Sequence, residues 1–483
     1  MSSRAPRTIN PGAVIARQDR IQVWSLPYLF VIVIGLGFLF TFYDIFDINV
    51  SFIQTCLQIV SKCTLETASG SLGLPVLWNL IGYVIGALIL SPLADRFGRR
   101  DMLLITMVLT GIGSLYTAFV NDYTSFIIAR TITGIGIGAD LAIVNTYINE
   151  VAPRQGRAKY TSLIFIMSSL GAFLGVWLGL ILTTGKEDFP LGLPFALASQ
   201  SFDSGWRIMY IIGAALAVIG VFLRFQLPES PRWLISQGRF EEADSVVRSM
   251  EERAVSRSLL PKALDELPVP PEAKGIPYSQ IFTNPLYLRR TLLLLAIWFI
   301  GYVTVYSFAA GFTTILGAFK NGNEPVYIPP EAGLIVAVGV FGFIACAIFA
   351  YFFGERLERK IWLPISAALT LIGGVLIGVA GQTLAIAFIG SIVVFFGFNL
   401  WVPMTYTWST ENYPTRARTT GFGLVDGIGH VGGGIGLLVI TPILSKMTPL
   451  EGFLLVGAFL IVSAIIAQFG TATRGKRLDI VSP

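Results

Sequence analysis

Apolar runs of about 18 residues or more recur from one end of this chain to the other, each long enough to cross ~30 Å of hydrocarbon at ~1.5 Å per residue. In lipid every backbone N–H and C=O must be satisfied within the crossing segment itself, so such runs fold as helices. Hydropathy places twelve spans, at about 27–52, 75–94, 102–120, 124–149, 160–183, 206–226, 289–319, 331–353, 361–380, 383–408, 419–443 and 450–470. Charged residues make up only 13% of the sequence, where a soluble domain carries roughly 25%. Lipid is therefore the solvent for most of the chain, and the expected fold class is an all-α membrane protein.

Lysine and arginine set the orientation, because they gather on the cytoplasmic side. With the N-terminus inside, the cytoplasmic loops hold Arg96, Arg99, Arg100, Arg154, Arg157, Lys159, Arg356, Arg359, Lys360, Arg416 and Arg418. Little beyond Lys62, Lys186, Lys320, Lys446 and the helix-edge Arg207 faces the other way. Both termini are expected in the cytoplasm of a multi-pass cell-membrane protein. The basic, polar start has no apolar core before a small-residue cleavage site, so it is not a secretory signal.

The one long polar stretch, 227–288, is an expected cytoplasmic linker whose segment from Gly238 to Leu267 mixes Glu, Arg, Ala, Val and Leu at helical spacing and reads as one or two amphipathic helices. It divides a cytoplasmic N-terminus (1–26) and six-helix bundle (27–226) from a second bundle (289–470) and a short tail (471–483). The halves echo each other. Ala94-Asp95-Arg96-Phe97-Gly98-Arg99-Arg100 follows span two, and Gly354-Glu355-Arg356-Leu357-Glu358-Arg359-Lys360 follows span eight. Such parallel repeats imply two pseudo-symmetric bundles that rock about a midplane site.

The Asp95 to Arg100 loop resembles the signature loop of the major facilitator superfamily. Pro228-Glu229-Ser230-Pro231-Arg232-Trp233-Leu234 resembles the motif after span six of sugar porters and related organic-solute transporters. Glu150 with Arg157 resembles the motif after span four, and Glu411-Asn412-Tyr413-Pro414-Thr415-Arg416 its counterpart after span ten. The resemblance spans about 27–470. It implies a secondary active transporter that imports a small organic solute by proton-coupled alternating access. Ser91 stands where the family has glycine, and Glu358 where the first loop has Gly98. The sugar porters' span-five glutamine corresponds to Ala172 and their span-ten tryptophan to Tyr406. Sugar hydroxyls need many partners, since an unpaired buried polar group costs ~1–3 kcal/mol. Organic and aromatic acids are thus expected alongside sugar-like solutes, as in the metabolite:proton and aromatic-acid:proton symporters that share these motifs.

An ionisable residue at a helix centre costs at least ~2.5–3.5 kcal/mol and points to function. Asp44 in span one and Arg130 in span four both fall ~9–12 Å below the outer surface at ~1.5 Å per residue, so they can pair. Tyr43-Asp44 and Arg130 match residues of proton-coupled sugar porters, which implies proton uptake by Asp44 and release of Arg130; a permanent structural pair is the alternative. Asp47 lies on a neighbouring face and is either a second acid or a vestibule residue. Asp140 is either a substrate-binding acid or a helix-packing one. His430, the single histidine, is one turn from Asp426 in span eleven. That pair is a second proton site, a cation for an anionic solute, or a neutral histidine held in packing rich in glycine.

Trp298, Tyr302, Tyr306, Asn399, Trp401, Tyr406 and Trp408 give spans seven and ten an aromatic, sparsely polar face suited to a ring-bearing ligand, although several must simply pack. Tyr302, Tyr306, Asn399, Trp401, Tyr406 and Asp140 are the substrate-binding candidates. Asp95, Arg99, Glu150, Arg157, Glu411 and Arg416 form an expected cytoplasmic gate of exposed ion pairs, each worth about 0–1 kcal/mol. Cys56 and Cys63 share one short non-membrane segment, either bridged or reduced. The sequence holds no P-loop and no cysteine–histidine pattern, which argues against an ATP-driven pump, an enzyme or a metal site. Neither a cofactor nor a nucleic-acid partner is expected; the partners are the solute, protons and the bilayer, and the chain is expected to be a monomer. Facilitative uniport of the same solutes and export of organic cations remain the other transport modes.

Overall fold

The computed structural model describes residues 9–64, 68–153, 156–257, 260–261, 278–321, 324–444 and 446–482. Among these, twelve helices are long and apolar enough to cross a membrane. The first six are α2 (Tyr28–Ile59), α3 (Ala68–Phe97), α4 (Arg99–Phe119), α5 (Tyr123–Val151), α6 (Arg157–Thr183) and α7 (Gly205–Arg224). The second six are α11 (Pro285–Ala309), α13 (Pro329–Phe353), α14 (Arg359–Ala380), α15 (Leu384–Glu411), α16 (Arg418–Leu444) and α17 (Pro449–Ala467). Short elements join them: α1 (Pro11–Asp19), α8 (Pro231–Ser236), α9 (Phe240–Val255), α10 (Tyr278–Thr283), α12 (Phe312–Ala318) and α18 (Leu478–Val481), with a two-residue hairpin β1 (Lys320–Asn321) and β2 (Glu324–Pro325).

Within the first bundle α2 packs on α6 and α7, and α5 on α3 and α4; within the second, α15 packs on α13 and α14, and α11 on α16 and α17. The bundles meet along two seams, α3 against α16 and α6 against α13. Glycine makes the closest approaches possible. A Cβ on Gly171 of α6 would stand 2.0 Å from the Leu39 carbonyl of α2, and one on Gly432 of α16 would stand 2.0 Å from the Phe299 carbonyl of α11. Only a residue without a side chain lets backbones touch in this way.

One span departs from expectation. The seventh span is not continuous to 319: α11 stops at Ala309, and the chain turns at Ala310 and Gly311 before α12 begins. In the polar linker the helix covers Phe240–Val255, and the rest of the Gly238 to Leu267 segment lies largely outside the described residues. Near the start of the chain a short helix docks on the linker. Asn10 caps α1 by accepting from the Gly12 and Ala13 amides, and Pro11 occupies the first helical position. Val14, Ile15 and Ala16 of α1 then bury against Trp233, Leu234, Ile235, Ala243 and Val247. Arg17 and Arg20 both bond Glu251 of α9, and Asp19 pairs with Arg232 and, at 4.0 Å, with Arg477 of the tail. The described stretches nearest the two termini, α1 and the segment around Arg477, therefore lie on one face of the molecule, called the terminal face below. Cys56 and Cys63 are joined as a disulfide, and Cys56 belongs to the last turn of α2 rather than to a loop.

Candidate functional site

α2 and α5 bring Asp44 and Arg130 together inside the first bundle. Arg130 Nη1 donates to Asp44 Oδ1 at 2.7 Å and Nη2 to the Asp44 carbonyl at 3.0 Å. Both side chains are buried, at 1% and 2% exposure. The guanidinium lies 5.5 Å from the ring of Tyr210, and Asn79 Nδ2 donates to the Arg130 carbonyl at 2.9 Å. Asp47, one turn along α2, is fully buried, and neither of its carboxylate oxygens has a hydrogen-bond partner among the described residues. A Cβ at Gly175 would come within 2.7 Å of the Tyr43 carbonyl, so α6 closes over this stretch of α2.

Between the bundles lies a cavity of about 20 Å³, lined by Phe42, Ile45 and Phe46 of α2, Leu141 of α5, Tyr302, Val305, Tyr306 and Ala309 of α11, Phe343 of α13, Phe398, Val402 and Tyr406 of α15, and His430 of α16. That volume accepts on the order of one water, so this is a closed arrangement in which side chains fill the centre. Behind the lining sits Asp426. Its carboxylate accepts from the Tyr302 hydroxyl at 2.7 Å and from the hydroxyl of Tyr83, which belongs to α3 in the other bundle. Tyr83 also stacks on His430 with ring centres 3.6 Å apart. Nothing in the sequence singled out Tyr83, because a tyrosine in an apolar run reads as packing.

The substrate-binding candidates divide. Tyr302, Tyr306 and Tyr406 line the cavity; Asn399 and Trp401 do not. Asn399 donates to the Phe343 carbonyl at 2.8 Å, and Trp401 packs edge-on against Trp298 at 4.9 Å, so both form a wall behind the lining. Asp140 is placed elsewhere. It pairs with both guanidinium nitrogens of Arg224 on α7 and accepts from Thr106 of α4 at 2.8 Å. It therefore joins α4, α5 and α7, in line with the helix-packing alternative. Arg224 was missed because it sits at the inner end of span six, where an arginine reads as a membrane anchor.

At the terminal face each half repeats one network. Arg99 pairs with Asp95 at 2.9 Å and Glu150 at 3.2 Å; Arg359 pairs with Glu355 at 3.0 Å and Glu411 at 3.4 Å. The Ser230 hydroxyl donates to Glu150, and the Thr473 hydroxyl to Glu411, both at 2.6 Å. Glu229 accepts from the Arg99 and Arg100 amides at the start of α4, and burial pushes its carboxyl above the ordinary range.

Each network then reaches across the seam. Arg418 lies 3.4 Å from Glu150 and Arg157 lies 3.7 Å from Glu411. Asp95 accepts from the Thr420 amide and hydroxyl at 2.9 and 2.6 Å, which caps α16 from the opposite half, and Glu355 caps α6 likewise through the Ala158 amide at 2.7 Å. Arg418, which was not among the expected gate residues, bridges to Glu150; the side chain of the expected Arg416 lies outside the described ones. The pairs are also buried, with Glu150 at 1% exposure and Arg418 at 0%, rather than exposed.

The opposite face is tied as well. Asn49 of α2 donates to the Ala309 carbonyl at 2.8 Å and accepts from the Thr313 amide at 3.1 Å, spanning the break between α11 and α12. Trp177 of α6 donates to the Ala337 carbonyl of α13 at 3.0 Å.

The pattern of the family described as "Sugar (and other) transporter" matches residues 29–482. Among curated proteins the chain is 27% identical to the niacin transporter NiaP of Acinetobacter baylyi, covering 97% of this chain and 99% of that protein. It is also 27% identical to the glucose transporter GlcP of Staphylococcus epidermidis, over 94% of this chain and 96% of the relative. Among solved structures, the major facilitator superfamily proton:xylose symporter XylE bound to 6-bromo-6-deoxy-D-glucose superposes with a TM-score of 0.69 at 19% identity, covering 94% of this chain and 98% of that one. With two six-helix halves, duplicated terminal-face networks and a match over nearly its whole length, the chain belongs to the sugar (and other) transporter family and is a membrane transporter with the fold of the major facilitator superfamily, not an enzyme.

Proposed function

We propose that the chain is a proton-coupled importer of a small ring-bearing organic solute, working by alternating access with the terminal face in the cytoplasm. The observation that carries this reading is the buried Asp44–Arg130 pair at 2.7 Å, on the same helix as the cavity residues Phe42, Ile45 and Phe46. A proton on Asp44 removes one of the two charges, so Arg130 is freed and α2 can move relative to α5. Asp47, one turn on with no hydrogen-bond partner among the described residues, is the nearest second acid. The lysines and arginines gathered on the terminal face support its cytoplasmic assignment.

An aromatic lining with a few phenols and one imidazole suits a flat ring better than a polyhydroxylated sugar. Relatives named for niacin and for glucose bracket the substrate class. The test is uptake into proteoliposomes of labelled sugar, aromatic acid and organic cation, with and without an inward proton gradient. Gradient-driven accumulation of an aromatic acid, lost in Asp44→Asn while counterflow persists, is the expected result. Wild-type accumulation by Asp44→Asn overturns the coupling role, and accumulation of the organic cation alone, under a reversed, outward proton gradient, favours the exporter reading.

A further inference from the structure

His430 forms part of the cavity wall with one of its nitrogens accounted for. Nδ1 lies 2.7 Å from the Asp426 carbonyl oxygen. A carbonyl only accepts, so Nδ1 carries the hydrogen, and in the neutral ring Nε2 is a bare lone pair. The ring is held between Tyr83 of α3, at 3.6 Å, and Tyr302 of α11, at 4.1 Å, with Tyr306 of α11 at 5.4 Å. The titratable or charged groups around it are these tyrosines, Tyr406 of α15 (3.3 Å from the Tyr302 hydroxyl) and Asp426 of its own helix, 3.6 Å from Nδ1. Two tyrosine hydroxyls already donate to the Asp426 carboxylate. No lysine or arginine lines the cavity among the described residues.

We propose that the solute is a ring-bearing monocarboxylic acid that crosses together with its own proton, shared between its carboxyl oxygen and Nε2 of His430. The proposal rests on the proton-coupled reading above and names its substrate. A bare carboxylate would enter a cavity at hydrocarbon depth with no counter-charge, which is costly. With one shared proton, the solute and the imidazole together carry no net charge whichever atom holds it. Asp426 stands behind Nδ1 and stabilises the imidazolium for whatever fraction of time the proton rests on the ring. The remaining lining suits the solute's ring: Phe42, Phe46, Phe343 and Phe398 present apolar faces. A sugar would find too few partners. An organic cation would not touch Asp426, which lies behind Tyr302 and His430 and outside the lining.

The test is calorimetric titration of the full-length protein in lipid nanodiscs with benzoate, 4-hydroxybenzoate and nicotinate and with the matching amides, each in two buffers of different ionisation enthalpy. The carboxylates are expected to bind with about one proton taken up per molecule, their Kd rising about tenfold per pH unit above the acid's own titration. Amides are expected to bind without proton uptake. His430→Phe should weaken carboxylate binding about tenfold or more and abolish the uptake. Carboxylate binding by the wild type with no proton uptake overturns the proposal, as does uptake that survives in His430→Phe. Binding of none of the carboxylates overturns the substrate class. None of these results touches the accumulation assay by which the coupled reading itself stands or falls.

Discussion

Arg418 of the second half lies 3.4 Å from Glu150 of the first, and its counterpart Arg157 lies 3.7 Å from Glu411. These reciprocal pairs, one per seam, join the two halves at the terminal face. Because both partners are buried, desolvation offsets most of the attraction, yet removing one partner costs about 3–5 kcal/mol. That combination suits a gate, with a modest net energy when intact and a steep response to change. Arg418→Glu should therefore open the terminal face. Ser91, against which a Cβ at Gly423 would press across the α3–α16 seam, is a fitting reporter. In Ser91→Cys with Cys346→Ala, maleimide labelling from the terminal side should rise about tenfold or more on adding Arg418→Glu. Unchanged labelling would reject the gate.

The Asp140–Arg224 pair makes a different prediction, since it lies within one bundle and away from the cavity. Asp140→Asn leaves Arg224 buried without its counter-charge and should lower stability by about 3–5 kcal/mol. Replacing both residues with apolar ones of similar volume, Asp140→Leu with Arg224→Met, should recover most of the loss. Thermal unfolding of the purified variants reads this directly. A changed substrate spectrum in the double variant would return Asp140 to the binding site.

How much of this was legible in the sequence depends on what kind of signal each residue gives. Asp44 and Arg130 were readable because charge in an apolar run is conspicuous and helical rise sets depth. Arg418 was equally readable by spacing: Arg157 stands seven positions after Glu150, and Arg418 seven positions after Glu411. Tyr83, Asn399 and Trp401 were not separable, since hydropathy cannot say which side of a buried helix faces a cavity. The break after Ala309 escaped notice because the run stays apolar through it, and only the approach of Asn49 marks it.

The docking of α1 carries a pH prediction. Two arginines, Arg17 and Arg20, converge on Glu251 of α9. Burial alone would raise the Glu251 carboxyl, but the hydrogen bonds from Arg17 and Arg20 outweigh it and hold the group below its usual range. A depressed folded-state value means the contribution is complete above the unfolded glutamate value of ~4.3 and is lost as pH falls through the lower folded value. α1 should therefore stay docked at neutral and mildly acidic pH and release only below that range. Glu251→Gln should release it at neutral pH. Amide exchange over residues 11–19 measures both, and protection that persists in Glu251→Gln would show that the apolar contacts with Trp233 and Val247 suffice.

Asn49 tests whether the two faces are coupled. Its amide donates to carbonyls at the end of α11 and accepts from the start of α12, so Asn49→Ala strands buried backbone groups in the closed opposite face. Each stranded group costs about 1–3 kcal/mol, enough to shift a two-state equilibrium by roughly 5- to 150-fold. A cysteine at Thr313, whose backbone amide contacts Asn49, should label faster from the opposite face in Asn49→Ala. If the halves rock as rigid bodies, opening that face must tighten the other, so the Ser91→Cys reporter should label more slowly in the same variant. The double variant with Arg418→Glu should fall between the two single ones. Faster labelling at both reporters would mean that Asn49 merely holds the fold together, and that the two faces do not alternate through it.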